Sequence, residues 1–313
     1  MESTDAGLFL FSLLAGAIRC GTPIAFAALG ETLSEKAGIL NLGIEGLMLV
    51  GAMVAVAVQV ETGNLWLAVI AAGLASAALA SIHAYVAVGL GGNQVVSGIA
   101  LSLLGTGLSG FFGRPYVGVR FDGIGTWSPS LISDLPVVGR LFASQDPLVY
   151  VCLVAAVGIS LLLSRSRYGL YVRAAGEDPQ SAFAQGVPVH RVRVIAVLVG
   201  GFFAGLGGAH LSLAYTHLWA ERMTAGQGWI AAGLVIVARW RPAAVLAAAY
   251  LFGGLTVLHP RLQAAGVSFS PYLVSMFPYL GAILALVLAT VASRGRGPIL
   301  PAALARSFRG AWS

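Results

Sequence analysis

The chain has 313 residues, 58% hydrophobic and 10% charged, with a formal net charge of +6; its mean hydropathy is +0.87 and its isoelectric point is near 9.7. Soluble domains carry about 25% charged residues, so too few charges remain here to coat a water-soluble globule. A basic balance in a soluble protein would point to nucleic acid, but these basic residues are mostly arginines at the ends of apolar runs, where they signal topology, and no nucleic-acid partner is expected.

Taken in order, apolar runs near the bilayer-spanning length of about twenty residues fall at 7–29, 43–60, 65–90, 93–113, 147–164, 193–215, 226–239, 243–262 and 272–291. The expected fold is all-α: one polytopic membrane domain over 1–313 with about nine transmembrane helices. The third and fourth runs are separated only by Gly91 and Gly92, and the seventh is short enough to be re-entrant or broken. The start, Met1 to Asp5, is acidic and lacks the positive region of a secretory signal, so the first run is expected to stay as a span. Cys20 and Cys152 lie inside apolar runs and offer neither a disulfide framework nor a metal-ligand spacing.

Arginine and lysine are retained on the cytoplasmic side. Segment 165–193 holds Arg165, Arg167, Arg173, Arg191 and Arg193, and the last stretch holds Arg294, Arg296, Arg306 and Arg309; both are expected inside, as is the short link at Arg239-Trp240-Arg241. Loop 114–146, where three arginines are balanced by Asp122, Asp134 and Asp146, then falls outside, together with the N-terminus.

Several motifs resolve by exclusion. Gly105-Thr-Gly107-Leu-Ser-Gly110 matches the dinucleotide fingerprint letter by letter, but that motif needs a strand before it and a helix start after it; inside an apolar run it reads as helix packing through small residues, as does Gly201-Phe-Phe-Ala-Gly205. The single lysine, Lys36, belongs to no phosphate-binding loop, so any ATP hydrolysis must come from another polypeptide. The five histidines, His83, His190, His210, His217 and His259, show no metal spacing. No catalytic residue, metal site or cofactor is expected, and the chain is not read as an enzyme.

Ionisable groups within spans are costly unless they face a partner or a water-filled path. Arg19, Glu31 and Glu45 are the candidates, either as an ion pair between Arg19 and a glutamate or as solute contacts. Asn41, Asn93, Gln94 and Gln227 suit the hydroxyls and base edges of an uncharged solute, or interhelical hydrogen bonds. With Glu45 they form a candidate substrate pathway. In the basic segment 165–193, Asp178 is placed to cap a helix beginning at Pro179, and Gly186 to stop it in the left-handed conformation. Two turns are unstable alone, so this helix must dock, with Phe183 as its projecting knob.

Gly30-Glu31-Thr-Leu-Ser-Glu35-Lys36-Ala-Gly38-Ile-Leu-Asn41-Leu-Gly43-Ile-Glu45-Gly46, Asn93-Gln94-Val-Val-Ser97-Gly98 and Gly176-Glu177-Asp178-Pro179 together resemble the permeases of ATP-binding-cassette importers, in particular their nucleoside and simple-sugar branch. The resemblance implies a permease subunit in a bacterial inner membrane, surrounded by lipid and paired as a heterodimer with a second related permease. It further implies a separate ATPase subunit and an extracytoplasmic substrate-binding lipoprotein. Glu177, Asp178, Pro179, Ala182, Phe183 and Gly186 would belong to the coupling helix that contacts the ATPase. Import of riboflavin or another small polar solute by the same architecture, and an ATPase-independent secondary transporter, are the alternatives; most charge lies at span ends rather than in a deep relay, which disfavours the second.

Overall fold

The computed structural model describes residues 2–128, 141–142, 145–264 and 300–308, together with isolated positions between 276 and 291. Within them the helices are α1 (Glu2–Lys36), α2 (Ile44–Thr62), α3 (Leu65–Ala84), α4 (Gln94–Gly113), α5 (Pro147–Arg165), α6 (Arg167–Glu177), α7 (Pro179–Ala184), α8 (Val189–Ala209), α9 (Gln227–Val237) and α10 (Pro242–Ala264). Two continue as π-helical turns, α3 into Tyr85–Gly89 and α8 into His210–Thr216. The caps follow local chemistry: Asn64, Asn93, Asp146, Ser166 and Asp178 each accept backbone N–H groups of the turn they start, satisfying donors that have no partner within the helix.

Seven of these helices are long and apolar enough to cross a membrane, and α9 is a shorter apolar helix. The expected run at 272–291 lies largely outside the described residues, as do most of 129–144 and Arg294, Arg296 and Arg309. One boundary differs from expectation. The first helix runs on past residue 29 to Lys36, because nothing before Gly38, with φ 89°, obliges the chain to leave the helix. The third and fourth runs are separate helices, as the glycine pair indicated, with Gly91 at φ 64°.

α2 and α8 form the centre: 72% and 67% of their most apolar windows are buried, against 28% for α4 and 33% for α5. α8 packs on α1, α2 and α3, α2 also on α3 and α4, and α1 on α10. The outer helices carry their large apolar side chains outward, with Leu103, Phe111 and Val154 each about 70% exposed, the pattern of a lipid-facing surface.

Close backbone approach joins the central helices. A Cβ added to Gly105 would lie 2.5 Å from the Gly46 carbonyl oxygen, whereas Gly107 and Gly110 meet nothing within 4 Å. Gly201 and Gly205 both abut α3. The fingerprint-like glycines therefore serve packing at Gly105 and have no ligand-cradling geometry. Gly105→Val should destabilise the detergent-solubilised protein by about 1–3 kcal/mol or more through overpacking, seen as a lower thermal midpoint, while Gly107→Ala, which meets no neighbour and adds helix propensity, should not lower it.

Candidate functional site

The most unusual backbone lies between α8 and α10. After its π-helical turn the chain reaches His217 and Trp219 beside the loop that follows α4: Ile124 N–H donates to the Leu213 carbonyl at 2.8 Å, and the buried Trp219 bridges to Val117. It then turns back into the bundle. Residues 221–226 form turns without a helix, with positive φ at Arg222, Ala225 and Gly226. α9 completes the passage, ending at Arg239 and Trp240, both left-handed. There Trp240 Nε1 donates to Glu35 Oε2 at 2.5 Å, and the Lys36 ammonium lies 5.9 Å from the Trp240 ring centroid. The 11 residues of α9 span about 16 Å, roughly half a hydrocarbon core of about 30 Å.

Non-helical backbone at such depth needs its polar groups satisfied by the protein. Glu45, in the first turn of α2, does this. Its carboxylate accepts from Thr224 Oγ1 at 2.6 Å, from Gly226 N–H at 2.8 Å and from Gly228 N–H at 2.7 Å. The N-termini of α2 and α9 thus meet at one buried carboxylate, which both helix dipoles favour. Gly228 is required sterically, because a Cβ there would collide with the backbone of Glu45.

The segment leading to α2 is held by the same device. Leu40 N–H donates to Gln94 Oε1 at 2.8 Å, Asn41 N–H to Glu31 Oε1 at 2.8 Å and Gly43 N–H to Asn41 Oδ1 at 2.9 Å. Glu31, Asn41, Glu45 and Gln94 therefore converge on the two breaks in helical backbone, where their oxygens hold main chain. Asn93 stands apart as the cap of α4, accepting from Val96 N–H at 3.1 Å. Gln227 opens α9, and its buried Oε1 has no hydrogen-bond partner among the described residues. The ion pair considered for Arg19 does not form: its Nη2 donates to the Ala214 carbonyl at 2.5 Å, beside the π-helical turn. His210 Nε2 instead lies 3.1 Å from Asp146 Oδ2, a fully buried hydrogen bond linking the end of α8 to the cap of α5.

A second feature follows α6, whose Gly176 lies against the Lys36 carbonyl at the end of α1. Asp178 Oδ2 accepts from the Ser181 hydroxyl at 2.5 Å, and its Oδ1 from Ser181 N–H and Gln180 N–H at 3.1 Å each. The Ser181 bonds first, then that of Gln180, hold the exposed Asp178 carboxyl below its ordinary range. Gly186, with φ 82°, closes the helix. α7 is therefore a capped helix as its sequence indicates, but its orientation differs from the projecting knob expected. Ala182 is buried and Phe183 half-buried, its ring 5.8 Å from that of Phe308, while Gln180, Ser181, Ala184, Gln185 and Gly186 are exposed. The reason is that residues 300–308 fold against this helix, a long-range contact that local periodicity does not reveal.

A membrane-embedded helical bundle with two breaks in its helical backbone, stabilised from within by carboxylate and amide side chains, and with a polar capped helix on one end, defines the class of solute-conducting membrane subunits. Residues 13–293 match the family described as the permease component of the branched-chain amino acid transport system, and the chain belongs to that family. It is 40% identical to a candidate glucose ABC transporter permease protein of Haloferax volcanii, covering 96% of this chain and 98% of that one. It is 31% identical to a nucleoside ABC transporter permease protein of Lactococcus lactis over 88% and 91% of the two chains, and 32% identical to a guanosine ABC transporter permease protein of Bacillus subtilis over 84% and 87%. No solved structure matches.

Removing the Glu45 carboxylate strands three donors at once. Glu45→Ala should lower stability by about 1–3 kcal/mol per unsatisfied buried group and raise hydrogen exchange or protease access across 220–228. Unchanged protection of that segment would contradict the role assigned to Glu45.

Proposed function

We propose that this chain is the transmembrane permease subunit of an ATP-binding-cassette importer that carries nucleosides or simple sugars across the cell membrane. The observation that carries the reading is the end-to-end match to permeases so described, over more than four-fifths of this chain in each case. The bundle is a single membrane domain with its exposed apolar helices against lipid, and ATP hydrolysis belongs to a separate ATPase subunit. Solute would arrive from an extracytoplasmic binding lipoprotein, and a second related permease would supply the other wall of the path.

In this reading the 220–237 passage is an eighth crossing, and 272–291 a ninth. Loop 114–146 then lies outside the cell, and segment 165–193 in the cytoplasm carries α7 as the coupling helix. Its open face, Gln180, Ser181, Ala184 and Gln185, is the part an ATPase cleft can grip, with Glu177, Asp178, Pro179 and Gly186 shaping its ends. Ala182 and Phe183 pass the motion to the membrane domain. The path runs beside Glu45, where Asn41 and Gln94 keep the surrounding backbone in place and Gln227 offers the unpaired Oε1 to a solute hydroxyl or base edge, while Asn93 fixes the start of α4. A carboxylate and main-chain amides that already satisfy each other favour a neutral, polyhydroxylated cargo over an ion.

The subunit assembled with the ATPase, sister permease and binding protein of its own operon, in proteoliposomes, should accumulate labelled guanosine or labelled glucose only when ATP is supplied. Accumulation without ATP or ATPase would instead establish a secondary transporter. On the same system, Gln185→Trp should lower uptake at least about fivefold, the low end of an allosteric coupling energy, with membrane insertion unchanged.

A further inference from the structure

Segment 300–308 makes contacts out of proportion to its length. Ala303 N–H donates to the Gly176 carbonyl at 2.9 Å, and Ala302 N–H to Glu177 Oε2 at 3.3 Å, so it is laced to the end of α6 just before α7. The Phe308 ring is 8% exposed, 5.8 Å from Phe183 on α7 and 5.2 Å from His190 at the start of α8. On its other side the Arg306 carbonyl accepts from Gln94 Nε2 and from Arg193 Nη1, each at 3.4 Å.

Arg193 is the junction. It is 1% exposed, and its remaining bonds run from Nε to the Ala37 carbonyl and from Nη2 to the Ala175 carbonyl, each at 3.0 Å. One buried guanidinium therefore joins three segments: the turn after α1, the end of α6 and the strand of chain carrying Phe308. A buried cation is stable only when its donors are met, and here a planar fork reaches carbonyls in three directions, which an ammonium does not reproduce. The turn it grips is the one whose next residues, Leu40 and Asn41, are held by Gln94 and Glu31 and lead into Glu45. At Gly38, a Cβ would press on both the Arg193 guanidinium, at 2.8 Å, and the Ala303 carbonyl oxygen, at 3.3 Å, so the turn and the segment are in direct register.

We propose that segment 300–308 is a strap transmitting displacement of α7 to the turn at 37–41, with Phe308 and Arg193 as the positioning residues that hold its two ends. The inference rests on α7 being the coupling helix. A push on α7 reaches the strap through the Phe183–Phe308 ring contact and through the lacing at Gly176 and Glu177. The strap then moves against the Arg193 fork and Gln94, and both bond the backbone that leads into α2. Phe308 and Arg193 touch neither solute nor nucleotide; they fix the geometry through which the turn at 37–41 senses α7.

The test uses the assembled importer in proteoliposomes, with guanosine or glucose as the probe according to which the wild type accumulates, and records uptake and ATP hydrolysis on the same samples. Phe308→Ala and Arg193→Lys should leave membrane level and co-purified ATPase as in the wild type and should lower solute moved per ATP hydrolysed at least about fivefold. Phe308→Tyr should restore the ratio. A wild-type ratio in Phe308→Ala, with Gln185→Trp impaired in parallel, overturns the strap and leaves α7 as the coupling helix. A wild-type ratio in Gln185→Trp as well overturns the coupling-helix reading itself. Uptake and hydrolysis that fall together with loss of co-purified ATPase would show a purely structural segment and likewise overturn the strap.

Discussion

One carboxylate governs the architecture. Glu45 meets a hydroxyl and two main-chain amides at the place where two helices begin inside the bundle, and without it the buried donors of Thr224 and Gly228 would be left unsatisfied. The chain thereby gains irregular, adjustable backbone at depth, which an unbroken helix cannot provide. Such backbone is where a transport subunit holds a solute and where it can hold one of two arrangements. The straight helices around it, especially α2 and α8, keep that region fixed in space.

One end of the bundle is linked to its interior through the first signature. Residues 30–46 are the end of α1, a left-handed turn at Gly38 and the start of α2, so a single stretch touches both Glu35–Trp240 at one end and Glu45–Gly228 inside the bundle. A conformational change can be driven only by contacts that differ between two states. In the proposed mechanism those contacts are ring against ring at Phe183 and Phe308, a guanidinium fork on three carbonyls, and a carboxylate on a loop.

Much of the fold was legible in the residues. Apolar runs located the long helices, Asp178-Pro179 marked a helix start, and Gly91-Gly92 and Gly186 marked stops, because capping and glycine chemistry act over a few residues. The shortness of the 226–239 run signalled a break, and α9 is indeed only 11 residues long. What stayed hidden depends on distant pairings. Arg193 reads as one more topology-setting arginine, yet it is buried among carbonyls from residues 37, 175 and 306. Phe183 reads as an outward knob because the alanines around it say nothing of Phe308. Glu31, Asn41 and Gln94 read equally as solute contacts or as partners within the bundle, and only the fold shows that their oxygens hold main chain.

The account turns on the passage from Leu218 to Arg241 being a complete crossing made of turns and half a helix. Cys20 and Cys152 are buried, so exposed cysteines introduced singly as Leu218→Cys and Arg241→Cys can be labelled against a quiet background with a membrane-impermeant maleimide in intact and in inverted vesicles. The account predicts that Leu218→Cys is labelled from the outside and Arg241→Cys from the cytoplasmic side; labelling of both from one face would show that the segment enters and leaves on the same side, and would contradict it.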